Sequence, residues 1–255
     1  MKKYWKPLFA IVIFLLMQLA AGIFLYAGKE FVGLNDANAI ALATILSGLI
    51  TVGILFALHM IRPKTFNPKR IKWGQAPIAF MAALLGILAM DLLSDQLNLP
   101  DIMKEEFGEM AKSVWGIIAI AIVGPIVEEL VFREAVTHSL LEHCSHRWQA
   151  VLLSALAFGL IHINPAQVPF AFVMGIILAI IYVKTRSIVL TSIIHIINNS
   201  LAVIEINVLG EDIDKFHYSD LLGGKAFTWF FIFVCAILSI AFLSQFWEKY
   251  HRHRH

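Results

Sequence analysis

Six polar side chains that could take part in catalysis lie within otherwise apolar stretches in the second half of the chain. Ionisable groups in such stretches are costly to bury and point to a function. They are tolerated when they face one another around a cavity that holds water. The set therefore predicts a polar site formed between three separate helices. Its members are Glu128, Glu129, Arg133, His162, His195 and Asn199.

The residue types in this set favour hydrolysis of a peptide bond by an activated water molecule. Glu128 can act as a general base, with His162 orienting the water that it deprotonates. His195 and Asn199 share one helix face at i,i+4, and both can donate to the oxyanion that forms when an amide carbonyl is attacked. This scheme needs no covalent intermediate.

The same residues leave a zinc mechanism open. A catalytic zinc takes three protein ligands and keeps a fourth position for water, and Glu128, His162 and His195 would be those ligands. The chain has no HExxH motif, so the usual helical zinc spacing is missing. Nucleophilic catalysis is less favoured, because Cys144 lies in a surface segment and the membrane serines have no adjacent base.

Each residue also has a purely structural interpretation. A single His or Asn inside a membrane can simply bond neighbouring helices. The pair Glu129 and Arg133, at i,i+4, suits a supporting ion pair better than it suits chemistry. One Glu, two His and one Asn at similar depth on three helices favour a function for the set as a whole.

Composition places these residues in a membrane protein. Of the 255 residues, 59% are hydrophobic and only 15% are charged, whereas soluble domains have about 45–50% and about 25%. This composition excludes an ordinary soluble enzyme. A formal net charge of +2 also argues against a disordered chain and against a chain that binds nucleic acid. With two cysteines there is no disulfide framework.

Eight stretches are long and apolar enough to predict membrane spans, since a spanning helix needs about 20 such residues. Their length and the lack of alternating polarity argue against barrel strands. We therefore expect an all-α, polytopic protein with about eight transmembrane helices, built as a single transmembrane domain over residues 1–255. The first stretch is expected to be a retained helix, because no cleavage site follows it. The predicted spans are 7–27, 39–61, 77–93, 113–130, 148–163, 168–183, 188–206 and 227–247.

The distribution of lysine and arginine predicts the orientation of these spans. Of the 20 basic residues, 15 fall in loops on the side of the N-terminus, and cytoplasmic loops are enriched in them. Both termini are therefore expected in the cytoplasm. The C-terminal tract 251–255, His-Arg-His-Arg-His, is expected to be a solvated cationic tail rather than a metal site.

The fourth span carries most of the charge. Helical character is expected over 113–142, which puts Glu128 near the middle of a helix about 45 Å long. Glu129 and Arg133 can pair along one face, and Glu128 is rotated by about 100° from Glu129. Pro125 removes a backbone donor just before the two glutamates and predicts a kink there.

Three short motifs give the chain a family resemblance. Glu128-Glu129-x-x-x-Arg133, Phe158-x-x-x-His162 and His195-x-x-x-Asn199, in this order on consecutive spans, resemble the CPBP family. That family contains the type II CAAX prenyl proteases and the bacteriocin-processing and immunity proteins, and is also called Abi. The resemblance covers residues 114–205, and each motif alone is weak.

The resemblance implies an intramembrane glutamate-type peptidase, or a metalloprotease-like relative of one, with its catalytic core over residues 113–206. Glu128 would be the catalytic carboxylate, His162 would help to activate the water, and His195 with Asn199 would form the oxyanion site. Glu129, Arg133 and Phe158 would support them. No cofactor is expected, with zinc as the possibility that the sequence leaves open.

We therefore expect an endopeptidase that cleaves a membrane-associated peptide or protein within the lipid bilayer of a bacterial plasma membrane, such as a pheromone or bacteriocin precursor. Two other classes of function stay open. One is a non-proteolytic immunity or scaffold protein that binds a toxin peptide. The other is a proton-coupled transporter, which is less favoured because the chain shows no inverted repeat.

Overall fold

The computed structural model describes residues 5–210 and 217–251, with side chains described as far as residue 249. Lys2, Lys3, Lys215 and residues 252–255 of the predicted cationic tail lie outside this part of the chain. Every regular element within it is helical. The helices are α1 Trp5–Val32, α2 Asp36–Ala57, α3 Ala76–Leu97, α4 Lys104–Ala111, α5 Val114–Leu141, α6 Arg147–Leu160, α7 Val168–Thr185, α8 Val189–Leu209, α9 Tyr218–Leu221 and α10 Lys225–His251.

Seven of these helices are long and apolar enough to cross a membrane, counted over the described residues. They are α1, α2, α3, α5, α7, α8 and α10. Large apolar side chains on the outer helices face outwards, among them Phe24 at 73% exposure and Phe233 at 66%, as expected for a surface that lipid covers. The prediction of an all-α polytopic membrane protein is confirmed.

The predicted fifth span corresponds to α6, which has 14 residues. A helix of that length extends about 21 Å, less than the roughly 30 Å of a bilayer core. It pairs with α7 as an antiparallel hairpin, since Gly159 lies against Phe172 and Gly175 lies against Ala155. The chain therefore alternates in direction at this point as the eight predicted spans require. The orientation of the termini stays a prediction.

Local sequence explains where the helices begin and end. The side chain of Asn35 accepts a bond from the backbone of Asn38 at 2.9 Å and caps α2. The Ser113 hydroxyl accepts one from the backbone of Gly116 at 2.9 Å and caps α5. Such caps satisfy donors that a helix start leaves free. The C-terminal ends of α3 and α7 are formed by Asn98 and Arg186, which adopt positive φ angles of 46° and 53° and so stop the helix.

Helix α5 lies at the centre of the bundle. All nine residues from Glu129 to Thr137 are buried. The Phe132 ring makes edge contacts with Phe14 of α1 at 6.0 Å and with Phe158 of α6 at 5.2 Å between centroids. On another side, α2 approaches so closely that a side chain at Gly48 would meet Val127. The polar residues of α5 are therefore enclosed by neighbouring helices rather than by lipid.

The helix α5 is not a regular α-helix. Two segments, Ile118–Val123 and Glu129–Thr137, have π-helical hydrogen bonding, and a short α-helical stretch, Gly124–Glu128, separates them. Segments of this kind are rare and often occur at functional sites. The kink expected at Pro125 stays a prediction; the structure shows a change in hydrogen-bonding register around this residue, and Glu128 lies at the junction of two registers.

Candidate functional site

The two glutamates of α5 have different surroundings. Glu129 is fully buried and pairs with Arg133, whose Nε atom lies 3.1 Å from Glu129 Oε2. The i,i+4 spacing predicted this pair. The Glu128 side chain keeps 21% exposure, so it is the glutamate that can meet water or a substrate.

His195 of α8 lies between these two carboxylates. Its Nδ1 atom is 3.2 Å from Glu129 Oε1, within hydrogen-bond distance. Its Nε2 atom is 3.6 Å from Glu128 Oε2. Glu129 accepts from Arg133 as well, so Nδ1 of His195 is the donor in its bond to Glu129. The other ring nitrogen, Nε2, therefore faces Glu128. The bond of Nδ1 to Glu129 fixes the orientation of the ring.

Phe158 of α6 forms the apolar wall of the site. Its ring makes edge contacts with the rings of His162 and His195, with centroids 5.1 Å and 5.8 Å away. The guanidinium carbon of Arg133 lies 4.8 Å from the same ring centroid. Since Phe158 is 1% exposed and touches all three polar residues, its packing holds their relative positions.

His162 lies in the turn that follows α6. Its Nδ1 atom is 2.8 Å from the carbonyl oxygen of Phe158. A carbonyl only accepts, so Nδ1 carries the hydrogen, and Nε2 of the neutral ring is an acceptor. His162 and His195 thus both pack against the Phe158 ring, and His195 is the histidine in contact with Glu128.

Asn164 fixes this turn, and sequence reasoning missed it. Its side chain is fully buried, donates to Asp101 Oδ1 at 2.6 Å and accepts from the backbone of Ile102 at 3.2 Å. Between it and His162, Ile163 has a positive φ of 59°, which is unusual for a β-branched residue. The sequence signal for this turn is an Asn immediately before Pro165 at the end of an apolar stretch.

The amide of Asn199 is engaged with α5. Its Nδ2 atom donates to the carbonyl oxygen of Ile120 at 3.0 Å, and its Oδ1 atom accepts from Asn198 at 2.9 Å. A side-chain amide has two N–H donors. One of them is used by this contact, and the other is the donor with which Asn199 can reach a substrate.

The residues present do not form a three-ligand metal site. Across the described parts of the chain, no three His, Cys, Asp or Glu side chains come together closely enough to hold a metal ion. The predicted ligand set of Glu128, His162 and His195 is therefore not brought together as a metal site.

A second polar cluster begins at Glu134, next to Arg133, and extends towards the C-terminal end of α5; sequence reasoning missed it. Arg62, before α3, donates to Glu134 at 2.6 Å, and Tyr182 of α7 donates to the same carboxylate. Arg62 also contacts His138, which Arg186 reaches at 3.0 Å. A glutamate inside an apolar helix was the signal for this cluster, which ties the loop before α3 to α5 and α7.

The pKa values of the two arginines in this cluster, Arg62 and Arg186, are shifted in opposite directions. Burial lowers the pKa of Arg62, but the ion pair with Glu134 outweighs it and raises that pKa above its ordinary value. Burial lowers the pKa of Arg186, and the charges of Arg147 and Arg62 add to this effect. The charge of Arg62 is therefore balanced by the carboxylate of Glu134, whereas Arg186 lies among other cations.

Comparison with known proteins finds a family and relatives that this chain resembles. Residues 110–201 match the family described as type II CAAX prenyl endopeptidase Rce1-like, and this range contains all three motifs. The putative membrane peptidase YdiL of Bacillus subtilis (strain 168) is 26% identical over 224 residues, which cover 80% of this chain and 88% of that protein. The membrane-embedded CAAX protease MroQ of Staphylococcus aureus (strain USA300) is 26% identical over 226 residues, 80% of this chain and 90% of that protein.

These matches support the CPBP assignment that the motifs indicated. The chain is an integral multi-pass membrane protein and a peptidase. No solved structure matches the chain.

Proposed function

We propose that this CPBP-family peptidase is an intramembrane endopeptidase that uses Glu128 as its general base. The observation that carries the proposal is the arrangement around His195. A partly exposed carboxylate faces one ring nitrogen, and the buried pair of Glu129 and Arg133 holds the other. A base that can meet water, beside a histidine held in one orientation, is suited to proton transfer.

The proposed reaction is direct hydrolysis of an amide. Glu128 removes a proton from a water molecule while the water oxygen bonds to the carbonyl carbon of the substrate. The carbonyl oxygen becomes an oxyanion. When the C–N bond breaks, the proton held by Glu128 passes to the departing nitrogen, so the products are a carboxylic acid and an amine and the carboxylate is regenerated.

His162 would orient the attacking water. With its Nδ1 hydrogen bonded to the Phe158 carbonyl, its Nε2 atom accepts a hydrogen bond from the second hydrogen of that water. Water held between Glu128 and His162 then has its oxygen lone pair directed at the substrate.

His195 and Asn199 would stabilise the oxyanion. Asn199 keeps one N–H that the Ile120 contact does not use. His195 would be the second donor, through Nε2, in the form of the ring that carries a hydrogen on both nitrogens. Donors in a membrane-embedded site act at low dielectric, where their effect on a developing charge is large.

We propose a substrate that is itself membrane-associated, because the site is enclosed by helices long and apolar enough to span the bilayer. One relative is described as a CAAX protease. For this chain a short precursor peptide held at the membrane, such as a pheromone or bacteriocin precursor, is the proposed class.

The test uses purified protein in lipid nanodiscs with a panel of membrane-anchored peptides and detection of new termini by mass spectrometry. We expect cleavage by the wild-type protein and none by Glu128→Gln or His162→Asn. Glu109→Gln, at an exposed glutamate on α4, is the control and should retain activity. Full activity of Glu128→Gln would refute the proposed mechanism. If cells that carry Glu128→Ala stay fully protected against a toxin peptide and no cleavage is detected, an immunity role is favoured instead.

The metal question needs its own measurement. We propose that no metal ion takes part, because no three His, Cys, Asp or Glu side chains among the described residues lie close enough together to hold one. Elemental analysis of the active protein, combined with a chelator titration, is the test. Zinc bound at one ion per chain and lost together with activity would overturn the proposal.

A further inference from the structure

The backbone of α5 has a gap in its hydrogen bonding just before Glu128. In the π-helical segment Ile118–Val123, the N–H of Gly124 donates to the carbonyl of Ala119, five residues back. The next donor in this register would come from residue 125 and would reach the carbonyl of Ile120. Residue 125 is proline, which has no N–H. The Ile120 carbonyl therefore loses the donor that its own helix would supply.

The dipeptide Gly124-Pro125 requires this local geometry. A Cβ atom built on Gly124 would lie 2.7 Å from the carbonyl oxygen of Ala119, a separation at which the backbone would have to shift. Glycine therefore permits the wider π-helical turn at this point, and proline lacks the N–H that would donate to the Ile120 carbonyl. The distortion is a property of the sequence at this point.

Asn199 supplies the missing donor from a different helix. Its Nδ2 atom lies 3.0 Å from the Ile120 carbonyl oxygen. The bond from Asn198 to Asn199 Oδ1 at 2.9 Å fixes which end of the amide carries the donor. A backbone carbonyl without a partner is costly inside a membrane, so this bond stabilises the π-helical segment as well as the contact between α5 and α8.

We infer that Asn199 is a positioning residue for Glu128, acting through the Ile120 carbonyl in place of the N–H that Pro125 lacks. The catalytic part of this inference rests on the proposed function. Its physical basis is register: a π-helical turn contains one more residue than an α-helical turn, and one residue corresponds to a rotation of about 100°. If α5 returned to regular α-helix before Gly124, Glu128 would turn away from His195.

The inference predicts a specific coupling between Asn199 and Pro125. Pro125→Ala restores an N–H that can donate to the Ile120 carbonyl, so the amide of Asn199 is then no longer needed there. Asn199→Leu should lower kcat by a factor at least about three times larger in the wild-type background than in the Pro125→Ala background, where only the contribution of Asn199 as an oxyanion donor is lost. In the wild-type background it should also increase hydrogen exchange of the amides that follow Ile120 on α5.

Asn207 offers a matched control on the same helix. Its Nδ2 atom donates to the carbonyl of Ala111 at 3.0 Å, so it also joins α8 to a neighbouring backbone, but away from Pro125. Asn207→Leu should have the same effect in both backgrounds. A coupling of Pro125 with Asn199 and none with Asn207 supports the inference.

Equal loss of kcat from Asn199→Leu in both backgrounds, with unchanged exchange on α5, would overturn it and leave Asn199 as an oxyanion donor only. If Asn199→Leu folds only when Pro125→Ala is present, that rescue supports the inference. If no variant, wild type included, hydrolyses any peptide, the proposed function has failed. The hydrogen-exchange half of the cycle would still decide the structural inference.

Discussion

The Nε atom of Arg133 lies 3.1 Å from Oε2 of Glu129, and neither side chain is exposed. The pair is enclosed between α5, α6 and α8, because the Arg133 guanidinium also lies over the Phe158 ring and Glu129 also accepts from His195. Nη1 and Nη2 of Arg133 have no partner among the described residues. The pair therefore depends on one direct bond, and its polar surroundings set the geometry of the site more than they add stability.

Arg133→Met should destabilise the protein strongly, because it leaves the Glu129 carboxylate buried without a cation. Breaking a buried pair in this way costs about 3–5 kcal/mol. Adding Glu129→Gln to Arg133→Met should recover much of that loss, since both charges are then gone. Thermal unfolding in a single detergent, followed by fluorescence, measures both effects. A double variant no more stable than Arg133→Met would contradict this account of the pair.

Glu128→Gln should abolish hydrolysis without unfolding the protein. The carboxylate is partly exposed and its contact with His195 is long, so the isosteric amide fits the same space. Loss of a general base costs roughly 10²–10⁴-fold in rate. The measurement is the initial rate of peptide cleavage together with the unfolding temperature. Glu129→Gln provides the contrast, because it should change the unfolding temperature as well as the rate.

Asn164→Ala should slow catalysis by releasing the turn that carries His162. The substitution removes the hydrogen bond to Asp101 Oδ1 and the acceptor of the Ile102 N–H, at a net cost of about 0.5–1.5 kcal/mol for each bond. We expect kcat to fall while KM changes little, because the turn positions His162 and does not bind the substrate. Asp101→Asn keeps an oxygen acceptor for Asn164 and should have a much smaller effect. Equal losses in the two variants would argue against the hydrogen bond as the cause.

Helix geometry explains which parts of the site the sequence could predict. Glu129 with Arg133, and Phe158 with His162, are pairs one turn apart, and helical spacing is enough to bring them together. Asp101 and Asn164 are 63 positions apart, and Arg62 and Glu134 are 72 apart. Such contacts depend on how helices pack and on where loops return, which hydrophobic patterns do not specify.

The amide of Asn199 makes a contact that the sequence could not predict for a different reason. Its spacing from His195 predicts that the two residues share one face of α8, and in the structure Asn199 contacts α5. Its partner is a backbone carbonyl, and that carbonyl is free only because α5 changes to π-helical register before Pro125. Proline predicted a disturbance of the helix, but not the carbonyl that the disturbance would release. Similarly, apolar length predicted a span over 148–163, whereas the helix ends at Leu160 so that the turn can carry His162.

Gly175→Ala on α7 should reduce the rate of hydrolysis by disturbing the packing of the Phe158 ring. A Cβ atom at this position would lie 3.0 Å from Ala155 Cα and 3.2 Å from Phe158 Cδ1, so α6 and the Phe158 ring must move. Overpacking of this kind costs about 1–3 kcal/mol. Because Phe158 contacts both histidines, the rate of hydrolysis should fall even at temperatures where the variant is fully folded.

Gly53→Ala is the matched control, since a Cβ atom there meets nothing within 4 Å. In an open helical position, alanine is favoured over glycine by up to about 1 kcal/mol, so this variant should be as active as wild type and equally or more stable. Unfolding temperature and cleavage rate, measured for both variants in the same nanodiscs, separate the two positions. If Gly175→Ala matched Gly53→Ala in both measurements, the close packing of α6 on α7 would not be what positions Phe158 and the two histidines.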